Sequence, residues 1–282
     1  MPSTQDIRRR IKSVKSIQQI TKAMKMVAAA RLRRAQERAI ASRPFTEKIQ
    51  QVMISVAHNA RDAVHPLLAV REVKRTCYVI LSSDKGLAGA YSSNVIKEAL
   101  AHSANRENTG FVTVGRKARD YFKRRDFPID EEFSGFSERP TYGHAVQIAR
   151  QIANKFIAGE YDEIYLVYTK FISPINHQPT PVRLLPIDNS SDDTKDKHDY
   201  IFEPSASEVL SVMLPRYLET VIYGALLQSA ASELGARMTA MESATDNADE
   251  LISKLVLNYN KVRQATITRE ISEIVGGAEA LK

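Results

Sequence analysis

Two tracts, one at each end of the sequence, run much farther without a strong helix breaker than a compact domain can accommodate. The first extends from Ser3 to His65, where His65-Pro66 stops it and Pro44 alone is expected to bend it. At 1.5 Å per residue it predicts a helix roughly 90 Å long. The second extends from Ser205 almost to Lys282, roughly 110 Å by the same rise, with a disturbance expected at Pro215. Both open on a capping-box pattern, "STQD" at Ser3 to Asp6 and "SASE" at Ser205 to Glu208, in which each end of the motif satisfies an orphan backbone N–H. Helices in globular domains average about 11 to 12 residues. Each tract therefore needs an extended partner.

Periodicity says what the partner is. Met238, Met241, Thr245, Ala248, Ile252, Leu255, Tyr259, Val262 and Thr266 recur at alternating steps of 3 and 4, a heptad seam held for about four repeats. Upstream the seam reads Leu227, Ala230, Leu234 and Met238, where a small Ala replaces the zipper leucine and the 3, 4, 4 stutter predicts weaker pairing. The first tract offers apolar or small positions at Ile7, Ile11, Val14, Ile17 or Gln18, Thr21, Met24, Ala28, Leu32, Ala35 and Ala39. Two such helices at opposite ends of a chain, joined by a folded middle, are expected to pack antiparallel, with Ala28, Ala29 and Ala30 close to Ala244 and Ala248. The seam in "GARMTAMESATDNADELI" remains odd for a zipper, because its side chains are small, flexible or polar.

The middle alternates short apolar runs with helical segments. "TCYVILS", "FVTVG", "EIYLVYTKF" and "PVRLLP" read as strands; "SNVIKEALAHSA", "RKARDYFKRR" and "YGHAVQIARQIANKF" read as helices. That order implies an α/β domain with a partly parallel sheet. "DNSSDDTKDKHD", from Asp188 to Asp199, is expected to be a solvated loop. The expected division is 1–65, a helix; 66–204, an α/β domain; and 205–282, a helix.

Charge is concentrated at the start. Met1 to Lys48 carries 13 Lys or Arg against 3 Asp or Glu, an excess greater than the net +7 of the whole chain, so the remainder is net acidic. A basic helix of this kind suits nucleic acid, an anionic membrane or an acidic protein surface. No apolar stretch follows the N-terminal charges and no run of about 18 apolar residues occurs, so neither a secretory signal nor a membrane span is expected. Cys77, the single cysteine, is read as a buried small hydrophobe.

Catalytic patterns are weak. "SSDKGLAGAYSSN" follows a strand and precedes a helix, yet its glycines, Gly86 and Gly89, fit neither GxxxxGK[ST] nor GxGxxG, and a tight turn is the better account. The six histidines form no HxxxH or HExxH pair and are expected at the surface, while Glu131-Glu132 and Asp192-Asp193 are read as loop residues. No cofactor, metal or catalytic residue is expected. The absence of Trp and of aromatics among the early basic residues argues against base stacking.

Three stretches taken together, "IKSVKSIQQITKAMKMVAAARL", "SSDKGLAGAYSSNV" and "ARMTAMESATDNADELISKLVLNYNKVRQATITREISEIVGGAEAL", are similar in order and over the whole chain to the gamma subunit of the F-type rotary ATP synthase. The resemblance implies a mixed α+β and α/β fold: a long antiparallel coiled coil of the terminal helices with an inserted Rossmann-like α/β domain. It implies a noncatalytic rotor that couples ion flow through the membrane ring to ATP synthesis or hydrolysis at the beta subunits. The implied partners are the alpha and beta subunits, epsilon and the ring of c subunits, with membrane contact only through the complex and no nucleic acid. Carried onto this sequence, it places Lys22 and Met24 near the acidic lever of beta. Arg237, Arg263, Gln264 and Thr268 fall at coupling or catch positions, and Tyr200, Phe202 and Glu203 at the contact with the c ring. Phe202 stands where many relatives have Tyr, and Gly235 interrupts the helix before Arg237 at a cost near 1 kcal/mol. No cysteine-bearing insertion or transit peptide is expected, which points to a bacterial protein on the cytoplasmic face of its membrane. From the residues alone, a basic coiled-coil regulator of nucleic acid and a Rossmann-like nucleotide enzyme remain alternatives.

Overall fold

The structure, a computed structural model, describes residues 3–59, 65–103, 108–187 and 205–280. Its two long helices are α1 (Thr4–Asn59) and α5 (Ala206–Ala280). Both start at the expected caps: Ser3 Oγ accepts from the Asp6 N–H at 3.2 Å while the Asp6 carboxylate accepts from the Ser3 N–H at 3.2 Å, and Ser205 Oγ accepts from the Glu208 N–H at 3.3 Å. Pro44 and Pro215 lie inside helices that continue past them. The chain forms two compact units, Ala28–Arg237 and Met1–Val27 with Met238–Lys282, so each long helix contributes to both. The three-part division at 65 and 204 follows helix ends, not these units.

In Ala28–Arg237, strands β1 (Thr76–Leu81), β2 (Thr109–Val114), β3 (Ile129–Phe133), β4 (Glu163–Phe171) and β5 (His177–Leu185) form one sheet in the order β3-β2-β1-β4-β5. β1 through β4 are parallel and β5 runs antiparallel to β4. Helices α2 (Tyr91–His102), α3 (Arg116–Lys123) and α4 (Tyr142–Ile157) provide the crossovers. Because β1 is central, both of its faces are covered, which is why "TCYVIL" is a continuous apolar run. Cys77, Val79 and Leu81 face a core shared with Ile148, Ile152 and Phe156 of α4 and with Leu210, Leu214, Leu218 and Ile222 of α5. Tyr78 and Ile80 face the opposite core, with Val95 and Ile96 of α2 and Phe122 of α3. Each of these fully buried side chains contributes about 1.5–3 kcal/mol of burial. Cys77 is free and buried, as expected of a small hydrophobe, and burial pushes its thiol far up. By length and composition a stretch of α5 reaches a mean hydropathy of 1.2, enough for a membrane span; its buried leucines lie in the sheet core.

Two expectations need correction. Glu131 and Glu132 are not loop residues but lie in β3 at the sheet edge, where Lys123 Nζ sits 2.5 Å from Glu132 and Asp130 accepts from the Tyr161 hydroxyl. Charged edge residues suit a strand that must not recruit another chain; poor strand propensity was overridden by pairing with β2. Among the described histidines, His102 is exposed as expected, whereas His65, His144 and His177 are half-buried. His102 Nδ1 lies 3.0 Å from the Tyr78 hydroxyl, His144 Nδ1 accepts from the Thr141 N–H at the start of α4, and His177 is half-buried. The Asp188–Asp199 loop and the Asp192-Asp193 pair lie outside the described residues.

In the other unit, the two helices pair antiparallel. Arg8 sits over the Tyr259 ring at 5.3 Å, Gln18 bonds to Asp249, Thr21 Oγ1 lies 2.8 Å from Thr245 Oγ1, and Lys25 pairs with Glu242 at 2.5 Å. Partners descend along α5 as positions rise along α1. Met241 and Ala248 are buried, Thr245 is half-buried, and Ile252, Leu255, Tyr259, Val262 and Thr266 are half-buried between exposed neighbours, the 3-and-4 pattern of the sequence. On α1 the seam runs through Gln18, since Ile17 is 51 % exposed. The register puts Ala244 and Ala248 level with the stretch from Gln18 to Lys25, not with Ala28 to Ala30, because the polar pairs fix the alignment.

Candidate functional site

In a sheet of this order, a nucleotide would bind beyond the carboxyl ends of the strands between β1 and β4, where the crossovers diverge. Here α5 closes that crevice. Ser232 Oγ donates to the Thr169 carbonyl at the end of β4 at 3.2 Å, Tyr91 at the start of α2 donates to the Ser229 carbonyl at 3.2 Å, and Arg237 donates to the Gly86 carbonyl at 3.3 Å. From Ala225 to Arg237 nearly every residue of α5 is buried, so the helix is surrounded instead of seamed on one side. At Ala230, 1 % exposed, the small side chain lets several elements approach at once. Gly235 belongs to the same design. A Cβ there would lie 3.1 Å from the His177 ring and 3.3 Å from the Pro174 backbone, so the glycine lets the β4–β5 hairpin approach closely.

The loop "SSDKGLAG" is organised around its own carboxylate. Asp84 accepts from the backbone N–H groups of Gly135 at 2.9 Å, Ser137 at 3.0 Å and Arg116 at 3.3 Å. Burial would raise its pKa, but these donors outweigh it and hold the carboxyl below the ordinary value. The donors at the start of α3 that an anion would use are thus taken internally: Arg116 N–H by Asp84, Lys117 N–H by the Ser83 carbonyl and Ala118 N–H by Ser82 Oγ. The positive φ of Leu87, 62°, and of Gly89, 55°, completes the tight turn.

Beside this loop lies a partly buried ion network that has no signature in the sequence. Glu138, between β3 and α4, pairs with Arg31 of α1, with Lys85 of the loop at 3.3 Å and with Arg237 of α5 at 3.3 Å. Arg237 also pairs with Glu233 at 2.8 Å. Burial would raise the Glu138 carboxyl, but Arg237, Lys85 and Arg31 outweigh it and lower it. Glu233 is 1 % exposed, and burial pushes it up to about 7. "SERP" carries no periodicity or motif that marks Glu138 out.

The expected site residues fall into three groups. Lys22, Arg263, Gln264 and Thr268 are exposed and Met24 is half-buried, all on the paired-helix unit. Arg237 stands apart: only 8 % of its side chain is exposed, so instead of facing outward it serves the internal network, because two carboxylates and a carbonyl hold its guanidinium. Tyr200, Phe202 and Glu203 lie outside the described residues. On the paired helices, Ile17, Ile20, Met26 and Val27 of α1 and Leu257, Ile267, Ile271, Ile274 and Val275 of α5 are exposed.

These features define a class: a protein of paired terminal helices with an inserted α/β domain whose crevice is closed by its own chain. Residues 3–281 match the family described as ATP synthase. The ATP synthase gamma chain of Desulforamulus reducens is 50% identical over 283 residues, covering 100% of both chains, and that of Brevibacillus brevis is 46% identical over 279 residues, covering 98% of this chain and 97% of the other. Among solved structures, a chain of the central stalk and c ring of the Tetrahymena thermophila mitochondrial ATP synthase is 27% identical with a TM-score of 0.64, covering 80% of this chain and 99% of that chain. A chain of the Euglena gracilis mitochondrial ATP synthase, at 18% identity, shares the fold with a TM-score of 0.72 over 99% of this chain and 94% of that chain. The chain belongs to the ATP synthase gamma-chain family. It is the noncatalytic central-stalk rotor subunit of such a synthase, in which the beta subunits carry out catalysis.

Proposed function

We propose that the paired helices turn inside a ring of alpha and beta subunits, driving the beta sites through their nucleotide states, while the α/β domain meets epsilon and the c ring. The observation that carries this reading is the surface of the helix pair. One narrow stripe is spent on pairing, and the remainder presents basic residues such as Arg10, Lys12, Lys15 and Lys22 beside exposed Ile, Leu, Val and Met side chains. A static tether needs only the stripe. A bearing needs an outer surface that attracts neighbours yet releases them, and deep apolar wells at about 25 cal/mol per Å² would resist turning. Small and polar seam residues such as Thr21 and Thr245 keep the pair slim, so that six subunits can surround it.

In this reading Lys22 and Met24 approach an acidic segment of beta, and Arg263, Gln264 and Thr268 grip beta in one rotary state. Tyr200, Phe202 and Glu203 contact the c ring. The complex lies on the cytoplasmic face of a bacterial membrane, and this chain reaches the membrane only through its partners. Copurification on tagged chain tests the reading: alpha and beta subunits in fixed proportion are expected. Salt-sensitive nucleic acid in their place would favour a nucleic-acid regulator, and nucleotide retained by the isolated chain would favour an enzyme.

A further inference from the structure

Within Ala28–Arg237 the α/β domain must transmit force to the stretches of α1 and α5 packed on it, and its close-packed apolar core resists sliding by shape. Directional, charge-assisted contacts add restraint at fixed points. Among the described residues, contacts of this kind that join the sheet's loops to both helices meet on one side chain. The Glu138 carboxylate takes Arg31 of α1 on one oxygen, and Lys85 of the β1–α2 loop and Arg237 of α5 on the other. Its side chain is 13 % exposed and that of Arg237 8 %, so water screens this pair poorly.

The backbone beneath Glu138 is itself fixed. Gly135 and Ser137 donate to Asp84, the Arg139 N–H donates to the Phe136 carbonyl at 3.0 Å, and the Phe136 ring stacks on His144 at 4.0 Å. A carboxylate on so constrained a loop holds whatever it grips. The charges facing it are Arg31 from α1, Lys85 from the loop, and Arg237 with Glu233 from α5.

We propose that Glu138 is a positioning residue of the rotor: it pins α1, α5 and the β1–α2 loop to one point, and turning force passes between the α/β domain and the two helices through it. The inference rests on the rotor reading. Its loss should soften the joint while leaving the helices continuous.

The test uses assembled synthase complexes held by a non-hydrolysable nucleotide, with a rod attached to the exposed α2 position Lys97 as Lys97→Cys. The angular fluctuation of the rod is recorded with and without Glu138→Gln. Gln keeps the shape but removes the negative charge and turns one carboxylate oxygen into an N–H donor that cannot accept from a cation, so roughly half of the restraint is lost and the angular variance should rise about twofold. Unchanged variance would overturn the proposal. Should Glu138→Gln complexes not assemble, Arg31→Gln with Lys85→Gln removes two arms at side chains 38 % and 67 % exposed while sparing buried Arg237, and the same broadening is required. A rod that fails to turn when wild-type complexes are given ATP refutes the rotor reading itself; a turning rod with unchanged variance refutes only the role of Glu138.

Discussion

Replacing Arg237 by Met separates an internal strut from an outward contact. The guanidinium lies 3.3 Å from Glu138, 2.8 Å from Glu233 and 3.3 Å from the Gly86 carbonyl. Its removal leaves Glu138 with Arg31 and Lys85, but leaves Glu233, 1 % exposed, without a cation. Breaking a buried pair from one side costs about 3–5 kcal/mol, chiefly through the charge left behind. Replacing both partners, Arg237→Met with Glu233→Leu, removes that charge and should recover most of the loss.

The pH dependence has a fixed sign. Glu233 is held up at about 7 against an ordinary 4.5, so its favourable protonated form contributes fully below 4.5 and that contribution is lost as pH rises through 7. Arg237 opposes the rise, so without it the carboxyl moves higher and the deficit of the single variant is larger at about pH 8 than at about pH 5. Glu138 is lowered, so its contribution is present above 4.5 and lost only as pH falls through its depressed value, and it does not change across that interval. Urea unfolding of the purified chain at both pH values, followed by circular dichroism, measures all three proteins. A single variant within about 1 kcal/mol of wild type at the higher pH, or a double variant no better than the single, would refute the reasoning.

Changing both Arg263 and Gln264 to Ala should leave unfolding of the isolated chain within about 0.5 kcal/mol, since both are exposed, yet remove about 2–4 kcal/mol from one rotary state. ATP hydrolysis and ATP-driven ion pumping by assembled complexes should then change at least about tenfold, and wild-type rates would eliminate the pair as a catch. Leu255→Ala in the half-buried seam should cost about 1–2 kcal/mol of chain stability, less than the 2–5 of a full core site, whereas Leu257→Ala, at a site 72 % exposed, should cost almost nothing. Equal losses in urea unfolding would contradict the seam. Gly110→Ala would drive a Cβ to 1.8 Å from the Tyr161 hydroxyl and 2.8 Å from Asp130. Overpacking and the lost charged hydrogen bond together should cost about 3 kcal/mol or more, read as a lower melting temperature.

The long helices, their caps, four of the strands and the heptad seam were legible in the sequence because each is a local or periodic property. A 3-and-4 spacing puts side chains on one face whatever the partner, and the half-burial of Ile252, Leu255, Tyr259 and Val262 follows it. The antiparallel arrangement was also implied, but its register was not: Gln18 with Asp249 and Thr21 with Thr245 are side-chain matches across more than 220 residues of sequence. β3 was invisible because "IDEEF" becomes a strand only by pairing with β2. Ala230 and Gly235 looked like weak points in a zipper, and are close-packing positions, because the surrounding elements come from distant parts of the chain. Glu138 was equally hidden. A carboxylate among charged residues is ordinary in sequence, and only the fold brings Arg31, Lys85 and Arg237 to it, since electrostatic strength depends on distance and burial that composition does not encode.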